Sequence, residues 1–164
     1  MVTHTTPTLQ IRAVRPSDAV AVARFLEGLS ERSYYRRFSA PQQPATAAEL
    51  DQLTDPDTHD GVRWVAMDLS THPHSVVGLA QLFGPVGAEV AEGALVVADP
   101  QQRRGLGSTL CRHLLRLARE RRVGRVWGLV QRDNHTMLRF ARKNGYPVRH
   151  GELGYEICVP VCQP

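Results

Sequence analysis

Apolar and polar residues along this chain follow two different periods, and each change of period marks a predicted element. Alternation predicts a β-strand, whereas apolar residues three and four positions apart predict one face of a helix. The predicted strands are 8–15, 62–69, 75–83, 90–97, 125–131 and 153–161. The predicted helices begin at Pro16, at Ser30, at Thr46, at Leu106 and at Asp133 or Asn134. This succession predicts an α/β or α+β domain with a mixed sheet.

The ends of several helices carry their own signals. Thr46 and Glu49 have the spacing of a capping box, and Ser30 can cap a short helix. Asn144 followed by Gly145 predicts a left-handed helix stop. The apolar face predicted for the first helix consists of Val20, Val22, Phe25, Leu26 and Leu29.

Length and composition narrow the class of protein. A chain of 164 residues fits one domain, 1–164, with one hydrophobic core. No apolar run approaches the roughly 20 residues of a membrane span, and the N-terminus lacks a basic region followed by an apolar one. We therefore expect a cytoplasmic protein without a membrane partner. The three cysteines form no C-x-x-C pair, so neither a disulfide framework nor a metal site is expected.

The positive charge of the chain comes almost entirely from arginine. The formal net charge is +4, and the basic side chains are nineteen Arg and one Lys. Arginine binds phosphate oxygens in pairs of hydrogen bonds, so this surface suits a phosphorylated ligand, although codon usage in a GC-rich genome also accounts for the composition. No zinc, helix-turn-helix or RNA-sheet signature accompanies the charge, so nucleic acid is not the expected partner.

A turn with two glycines joins the fourth predicted strand to a helix. Gly105 and Gly107 allow a tight turn and the close approach of a ligand to the backbone. The first N–H groups of the helix have no helical partner and lie at its positive end, and Arg103 and Arg104 add charge. These features predict a phosphate-binding loop, although an ordinary tight turn can carry the same glycines. The loop has neither the Gly-Lys-Ser/Thr of a P-loop nor the third glycine of a dinucleotide fingerprint.

In its context this loop resembles the acyl-CoA-binding motif of the GNAT acyltransferase superfamily. The stretch 102–107 matches Q/R-x-x-G-x-G/A after an apolar strand, and the order of elements is similar to that fold throughout. The resemblance implies a mixed central sheet flanked by helices, acetyl-CoA as the co-substrate and no metal. It places the cofactor contacts at Leu95, Val96, Val97, Gln102, Arg103, Arg104, Gly105, Leu106, Gly107, Ser108 and Asn134.

Two segments are similar to bacterial protein-lysine acetyltransferases that modify acyl-CoA synthetases. The stretch 29–38, LSERSYYRRF, matches L-S-x-x-S-x-Y-x-R-F, and 91–97 resembles A-E-x-A-x-V-V. This resemblance implies that Glu92 is the general base, that Tyr35 and Arg37 contact the acceptor, and that the acceptor is a protein lysine, for example on an acyl-CoA synthetase. Members of that group often carry a further regulatory or synthetase-like domain, for which we expect no room in 164 residues.

The chemistry of acetyl transfer is consistent with a carboxylate at this position. The attacking amine must be neutral, so a base must accept a proton directly or through water. Glu92 lies in an otherwise apolar run, where we expect it to be shielded from water; an outward-facing glutamate at the start of a strand is the alternative. Backbone N–H groups near Val96 or Val97 are expected to hold the oxyanion.

The sequence does not identify the residue that protonates the leaving thiolate. Many GNAT enzymes have a tyrosine seven residues after the asparagine, and Ala141 occupies that position here. Tyr146 is too far along the chain to be assigned from the sequence, and water can supply the proton. Trp127 is assigned to the core, and Cys111 to helix packing.

The class of acceptor is open as well. A small-molecule amine such as an aminoglycoside, or an aminoacyl-tRNA, competes with the protein lysine. A non-catalytic acyl-CoA-binding domain is the alternative outside enzymes, and Ala141 is the feature that favours it.

Overall fold

The computed structural model describes residues 9–58 and 60–161, which form one mixed sheet with helices on both faces. The sheet order is β1-β3-β4-β5-β6-β8-β7, with β2 paired to β3, and all neighbours are antiparallel except β5 and β6. The strands are β1 (Leu9–Ala13), β2 (Asp57–Thr58), β3 (Gly61–Asp68), β4 (Ser75–Phe83), β5 (Val90–Val97), β6 (Arg125–Val130), β7 (Val148–His150) and β8 (Tyr155–Pro160). The α-helices are α1 (Ala19–Glu27), α2 (Glu31–Phe38), α3 (Ala47–Thr54), α4 (Leu106–Glu120) and α5 (His135–Lys143). The predicted mixed α/β architecture is confirmed.

Several local predictions are confirmed residue by residue. Thr46 and Glu49 form the capping box of α3, and the Ser30 side chain caps α2 by accepting from the Ser33 N–H. The strands 75–83 and 90–97 have the predicted bounds. Gly145 adopts a φ of 70° after α5, as the left-handed stop requires.

Three local features differ from the prediction. The segment after α3 contains the short strand β2, which was not predicted and which pairs with the start of β3. The last predicted strand is confirmed as β8, but it pairs with β7, which was not predicted; Gly151 donates its N–H to the carbonyl of Gly154 at 2.8 Å in the turn between them. Val20 is 63% exposed, so the buried stripe of α1 is narrower than predicted. Thr8, the predicted first strand residue, lies outside the described residues.

The helices form separate hydrophobic clusters on the two faces of the sheet. On one face, α4 packs on β4 and β5, with Leu110 fully buried. On the other face, α1, α2 and α3 cover β3, β4 and β5 around Val22 and Leu79. A smaller cluster joins α5 to β6 and β8 around Ala141. No helix in the described ranges has the length and apolar character to span a bilayer.

Candidate active site

The sheet opens between its two parallel strands. The register of β5 and β6 runs only from Val90 opposite Arg125 to Glu92 opposite Trp127. Beyond that point the two strands diverge, and a cleft of about 500 Å³ occupies the gap. Where two neighbouring strands separate, their backbone N–H and C=O groups no longer pair with each other. These groups can therefore bind an extended ligand through main-chain hydrogen bonds.

The direction of the backbone groups along β5 decides which of them face the gap. Ala98 donates its N–H to the carbonyl of Val77 on the β4 side at 2.9 Å, and the β4–β5 register is unbroken. Because the direction alternates along an antiparallel strand, the N–H of Val96 also points to β4. The N–H groups of Leu95 and Val97 point into the gap instead. Val96 and Val97 were expected to hold the oxyanion. The N–H of Val96 points away from the gap, so the N–H groups of Leu95 and Val97 are the ones that can hold it.

The glycine loop lies at one end of the cleft. Arg103 and Gly105 have positive φ angles of 60° and 90°, and α4 begins without a side-chain cap. The N–H groups of the first turn of a helix have no intrahelical partner, so the loop presents a row of donors. Arg103, Gly105, Gly107 and Ser108 all line the cleft. This arrangement matches the predicted phosphate cradle.

Other predicted cofactor residues are divided between the cleft and its surroundings. Asn134 lines the cleft, and its side-chain oxygen caps α5 by accepting from the N–H of Met137. Leu106 is buried in the cluster beneath α4, so only its backbone is available to a ligand. Arg104 is exposed and does not line the cleft. Its charge acts on the loop from outside.

The other end of the cleft carries Glu92. The side chain of Glu92 is exposed, so the expectation that apolar neighbours shield it from water is wrong. It lies opposite Phe83 on the sheet face that α2 covers, where Arg37 donates a hydrogen bond to Oε1 of Gln81. Burial lowers the pKa of Arg37 to about 10, and the nearby Glu92 carboxylate opposes that shift. A carboxylate and a guanidinium therefore face the same end of the cleft.

The helical period of α2 separates the two predicted acceptor residues. Ser33, Arg36 and Arg37 line the cleft, as their spacing of three and four requires. Tyr35 falls on the opposite side of the helix, is 50% exposed and does not line the cleft. Tyr35 is therefore not part of the cleft lining, and its contact with an acceptor stays a prediction. Arg37 remains in the lining.

Hydrogen bonds attach the start of α2 to the end of β5. Asp99 accepts from the N–H and hydroxyl of Ser30 at 2.9 and 2.7 Å and from the hydroxyl of Ser33 at 2.8 Å. Gln102 then donates to the Ser33 hydroxyl at 3.0 Å and to the carbonyl of Val97 at 3.1 Å. The amide of Gln102, predicted to contact the cofactor, thus connects α2, β5 and the glycine loop.

The far end of α2 is attached to the segment that follows β6. Arg36 forms an ion pair with Asp133 at 2.9 Å, and Gln131 donates to the hydroxyl of Ser39 at 2.9 Å. Because its two ends are bonded to the two diverging strands, α2 bridges the cleft. The sequence identified Ser30 as a helix cap and Ser33 only as part of a resemblance. Their partner Asp99, 66 residues from Ser33, gave no local signal.

Asp99→Asn is expected to lower the free energy of unfolding by about 1–3 kcal/mol, because an amide cannot accept all three hydrogen bonds of the carboxylate. Burial raises the pKa of Asp99, but its hydrogen bonds to Ser30 and Ser33 outweigh burial, so the pKa is lowered overall. Its stabilisation is therefore present above about pH 3.9, the unfolded value, and is lost as the pH falls toward the folded value.

Urea unfolding of wild type and Asp99→Asn between acidic and neutral pH measures this difference. The gap between the two curves narrows at acidic pH if Asp99 acts through its charge. Asp51→Asn, on an exposed residue of α3, is the matched control. A gap that stays constant with pH contradicts the assignment.

Trp127 and Tyr146 are among the cleft residues that were not identified from the sequence as functional. Trp127, assigned to the core, lines the gap at the point where β5 and β6 part. Tyr146 lines the α4–α5 side together with Cys111. Their place in the lining depends on where β5 and β6 separate and on the packing of α5 with β6 and β8, which join segments distant along the chain.

A second depression, of about 680 Å³, lies over the outer side of α5. It is open, and four basic side chains border it: His135, Arg139, Arg142 and Lys143. Among the described residues, neither a strand nor a carboxylate lines it, so the cleft between β5 and β6 is the candidate active site. The described residues contain no group of three or more metal-ligating side chains.

Comparison with known proteins identifies relatives of this chain. Residues 25–146 match the family model described as acetyltransferase (GNAT) family. The GNAT domain of S. lividans PAT has a TM-score of 0.81 and 26% identity, over 93% of this chain and 90% of that domain. A Pseudomonas aeruginosa acetyltransferase is 28% identical over 127 residues, which are 77% of this chain and 68% of the relative.

A longer relative is the acetyltransferase Pat of Mycolicibacterium smegmatis, 32% identical over 92% of this chain. The chain spans 45% of the length of that protein. The family match extends from the last residues of α1 through the glycine loop to residue 146, just after α5, and it includes both strands that form the cleft. The chain therefore belongs to the GNAT family of acetyltransferases.

Proposed function

We propose that this protein transfers the acetyl group of acetyl-CoA to a primary amine, a protein lysine, by direct attack in the cleft between β5 and β6. The observation that carries the proposal is the order of groups along one cleft. An N–H cradle with positive charge lies at one end, strand N–H groups face the middle, and the Glu92 carboxylate lies at the other end.

The cradle suits the pyrophosphate of acetyl-CoA. Backbone donors at the start of α4 bind phosphate oxygens, and Arg103 adds a charge-assisted contact. The extended pantetheine chain then follows the gap, where Asn134 and the unpaired edge of β5 offer hydrogen bonds. The thioester carbonyl reaches the N–H groups of Leu95 and Val97.

Glu92 is proposed to accept the proton of the amine. Lysine is mostly protonated at neutral pH, with a reference pKa of about 10.4, so it must lose a proton before attack. The carboxylate takes this proton directly or through water. The neutral nitrogen attacks the thioester carbon, and the N–H groups of β5 stabilise the oxyanion. No covalent intermediate with the enzyme is needed, so Cys111 has no role as a nucleophile.

The exposure of Glu92 supports an acceptor carried on a macromolecule. The carboxylate lies at an open mouth of the cleft, beside the bridging helix α2. A lysine side chain extends several ångströms from the surface of a folded protein and can enter such a mouth. The similarity of 29–38 to bacterial protein-lysine acetyltransferases supports the same class of acceptor, with acyl-CoA synthetases as the first candidates.

An assay of thiol release from acetyl-CoA tests the proposal. The panel contains acyl-CoA synthetases, lysine peptides, aminoglycosides and aminoacyl-tRNA, and mass spectrometry locates the acetyl group. We expect release with a protein acceptor and Nε-acetyl-lysine in the product. Release with only small amines or RNA contradicts the protein lysine. Binding of acetyl-CoA without release for any acceptor favours a non-catalytic domain.

A further inference from the structure

Tyr146 brings a phenol into the cleft from the side opposite to Glu92. Its N–H donates to the carbonyl of Ala141 at 2.9 Å, directly after the left-handed Gly145. Its ring lies edge-on to Phe140, with 6.0 Å between the ring centroids, and is partly buried. These backbone and ring contacts hold Tyr146 in the lining of the cleft.

Two close contacts give the position of α4 along β5. A Cβ atom on Gly93 would lie 3.1 Å from Cδ2 of Leu114. A Cβ atom on Gly78, the β4 partner of Val97, would lie 2.8 Å from Cδ1 of Leu110. The part of α4 between Leu110 and Leu114 is therefore level with the part of β5 that has separated from β6.

Cys111 belongs to that part of α4, and it lines the cleft together with Tyr146. Burial and, after it, the neighbouring Cys111 raise the pKa of Tyr146. The phenol is thus protonated at neutral pH. Because Tyr146 and Cys111 line the same cleft, the phenol faces the segment of β5 from Gly93 to Val97, which includes the Leu95 N–H that points into the gap. A carbonyl held by that N–H has Tyr146 on its α4–α5 side and Glu92 on its α2 side.

Other proton donors of the α4–α5 side are less suited to this position. Ser108 and Thr136 lie in the first turns of α4 and α5, at the end of the cleft that holds the glycine loop. The thiol of Cys111 is buried, its pKa is raised to about 11 by burial, and S–H is a weak donor. The Tyr146 hydroxyl has no hydrogen-bond partner among the described residues, so it is available to a ligand.

We propose that Tyr146 is the catalytic acid that protonates the leaving thiolate. This inference rests on the proposed acetyl transfer. The ammonium proton first passes through Glu92 to bulk water. The neutral nitrogen then forms a bond to the acetyl carbon and gives a second proton to Glu92. The carbon–sulfur bond then breaks with its electron pair on sulfur, and the O–H proton of Tyr146 moves to that sulfur. Proton exchange through water from the Glu92 carboxyl to the phenolate restores both groups, so no further reactant is required.

The tyrosine comes from a different place in the chain than the superfamily resemblance implies. Ala141, at the position of the usual tyrosine, is fully buried and has no proton to donate. Its small side chain belongs to the cluster against which the Tyr146 ring packs. The structure therefore carries the phenol on the segment after α5 instead of on α5 itself.

The first test measures the ionisation of bound CoA and needs no acceptor. A hydrogen bond from Tyr146 stabilises the thiolate, so CoA bound to wild type should ionise about one pH unit lower than CoA bound to Tyr146→Phe. The ultraviolet absorbance of the thiolate during a pH titration gives both values. Tyr155→Phe, on a tyrosine of β8 that packs on His150 outside the cleft, should match wild type.

The second test is turnover with the acceptor found in the panel. Tyr146→Phe keeps the ring and should lower kcat by about 10²-fold, while the KM for acetyl-CoA stays within about twofold. A fluorinated tyrosine at 146 keeps the hydroxyl but lowers its pKa, so the falling limb of the pH–rate profile should move to lower pH. This second variant keeps the test decisive where phenylalanine disturbs packing.

The outcomes separate this inference from the proposed function. If wild type does not bind CoA, the proposed function fails, and the role of Tyr146 fails with it. If CoA binds but its titration is the same in wild type and Tyr146→Phe, only the role of Tyr146 is overturned. The role of Tyr146 is also overturned if kcat is equal in wild type and Tyr146→Phe, or if fluorination does not shift the falling limb of the pH–rate profile.

Discussion

Gly107→Glu is expected to fold normally and to lose measurable affinity for acetyl-CoA, by a factor of at least about 10². A Cβ atom at Gly107 meets only a methyl group of Val97 at 3.9 Å, an ordinary contact, so the folded chain tolerates a side chain there. A carboxylate in the first turn also favours the helix. The same carboxylate occupies the cradle and repels the phosphates, at a cost of several kcal/mol, and about 2.7 kcal/mol is already a hundredfold.

Isothermal calorimetry with acetyl-CoA, together with thermal unfolding, measures this effect. Gly107→Ala is the matched control, because it adds a methyl group without charge and should retain most of the affinity. Gly105→Asp should also abolish binding, but its φ of 90° strains any side chain, so a loss there mixes folding with binding. Arg103→Ala should only weaken binding, since most donors are main-chain groups. Unchanged affinity in folded Gly107→Glu rules out the loop as the cofactor site.

Glu92→Gln is expected to lower turnover by about 10²–10⁴-fold, the usual contribution of a general base. The amide is nearly isosteric, and the glycine loop lies at the other end of the cleft, so affinity for acetyl-CoA should be unchanged. The loss should become smaller as the pH rises, because a larger share of the amine is then neutral without help. Steady-state rates against pH, with saturating acetyl-CoA, provide the comparison.

Glu89→Gln is the matched control for this substitution. Glu89 lies just before β5, is exposed, and forms an ion pair with Arg125 outside the cleft. Turnover in this variant should equal that of wild type. Near-normal turnover of Glu92→Gln at pH 7 with the true acceptor would show that Glu92 is only a strand residue. Asp99 is a poor substitute for it, since three hydrogen bonds already engage its carboxylate.

Local periodicity was enough to predict most elements of the fold. Strand alternation and helical spacing involve residues two to four positions apart, so they are readable without the tertiary structure. The capping box at Thr46, the cap at Ser30 and the stop at Gly145 depend on equally short intervals. The predictions failed where pairing with another strand decides the outcome, as in β2 and β7.

The candidate site was predictable where its chemistry is local. The glycine loop is one continuous stretch whose donors belong to the backbone, and Glu92 was identified by a motif in its own strand. The sequence could not predict which side of α2 faces the sheet. The helical period places Tyr35 and Arg37 on different sides of the helix but does not say which of them faces the sheet. Packing of α2 on β5 places Arg37 in the cleft and Tyr35 in solvent.

By itself, then, the sequence determined most of the elements and their order, the family, and the positions of the glycine loop and of the carboxylate in β5. Only the tertiary structure decided that Leu95 and Val97 turn their N–H groups into the gap, since that depends on the register with β4. It alone placed Asp99 against α2 and Tyr146 beside Cys111. The physical reason is that these contacts join segments distant along the chain, which meet only when the whole sheet and its helices pack together.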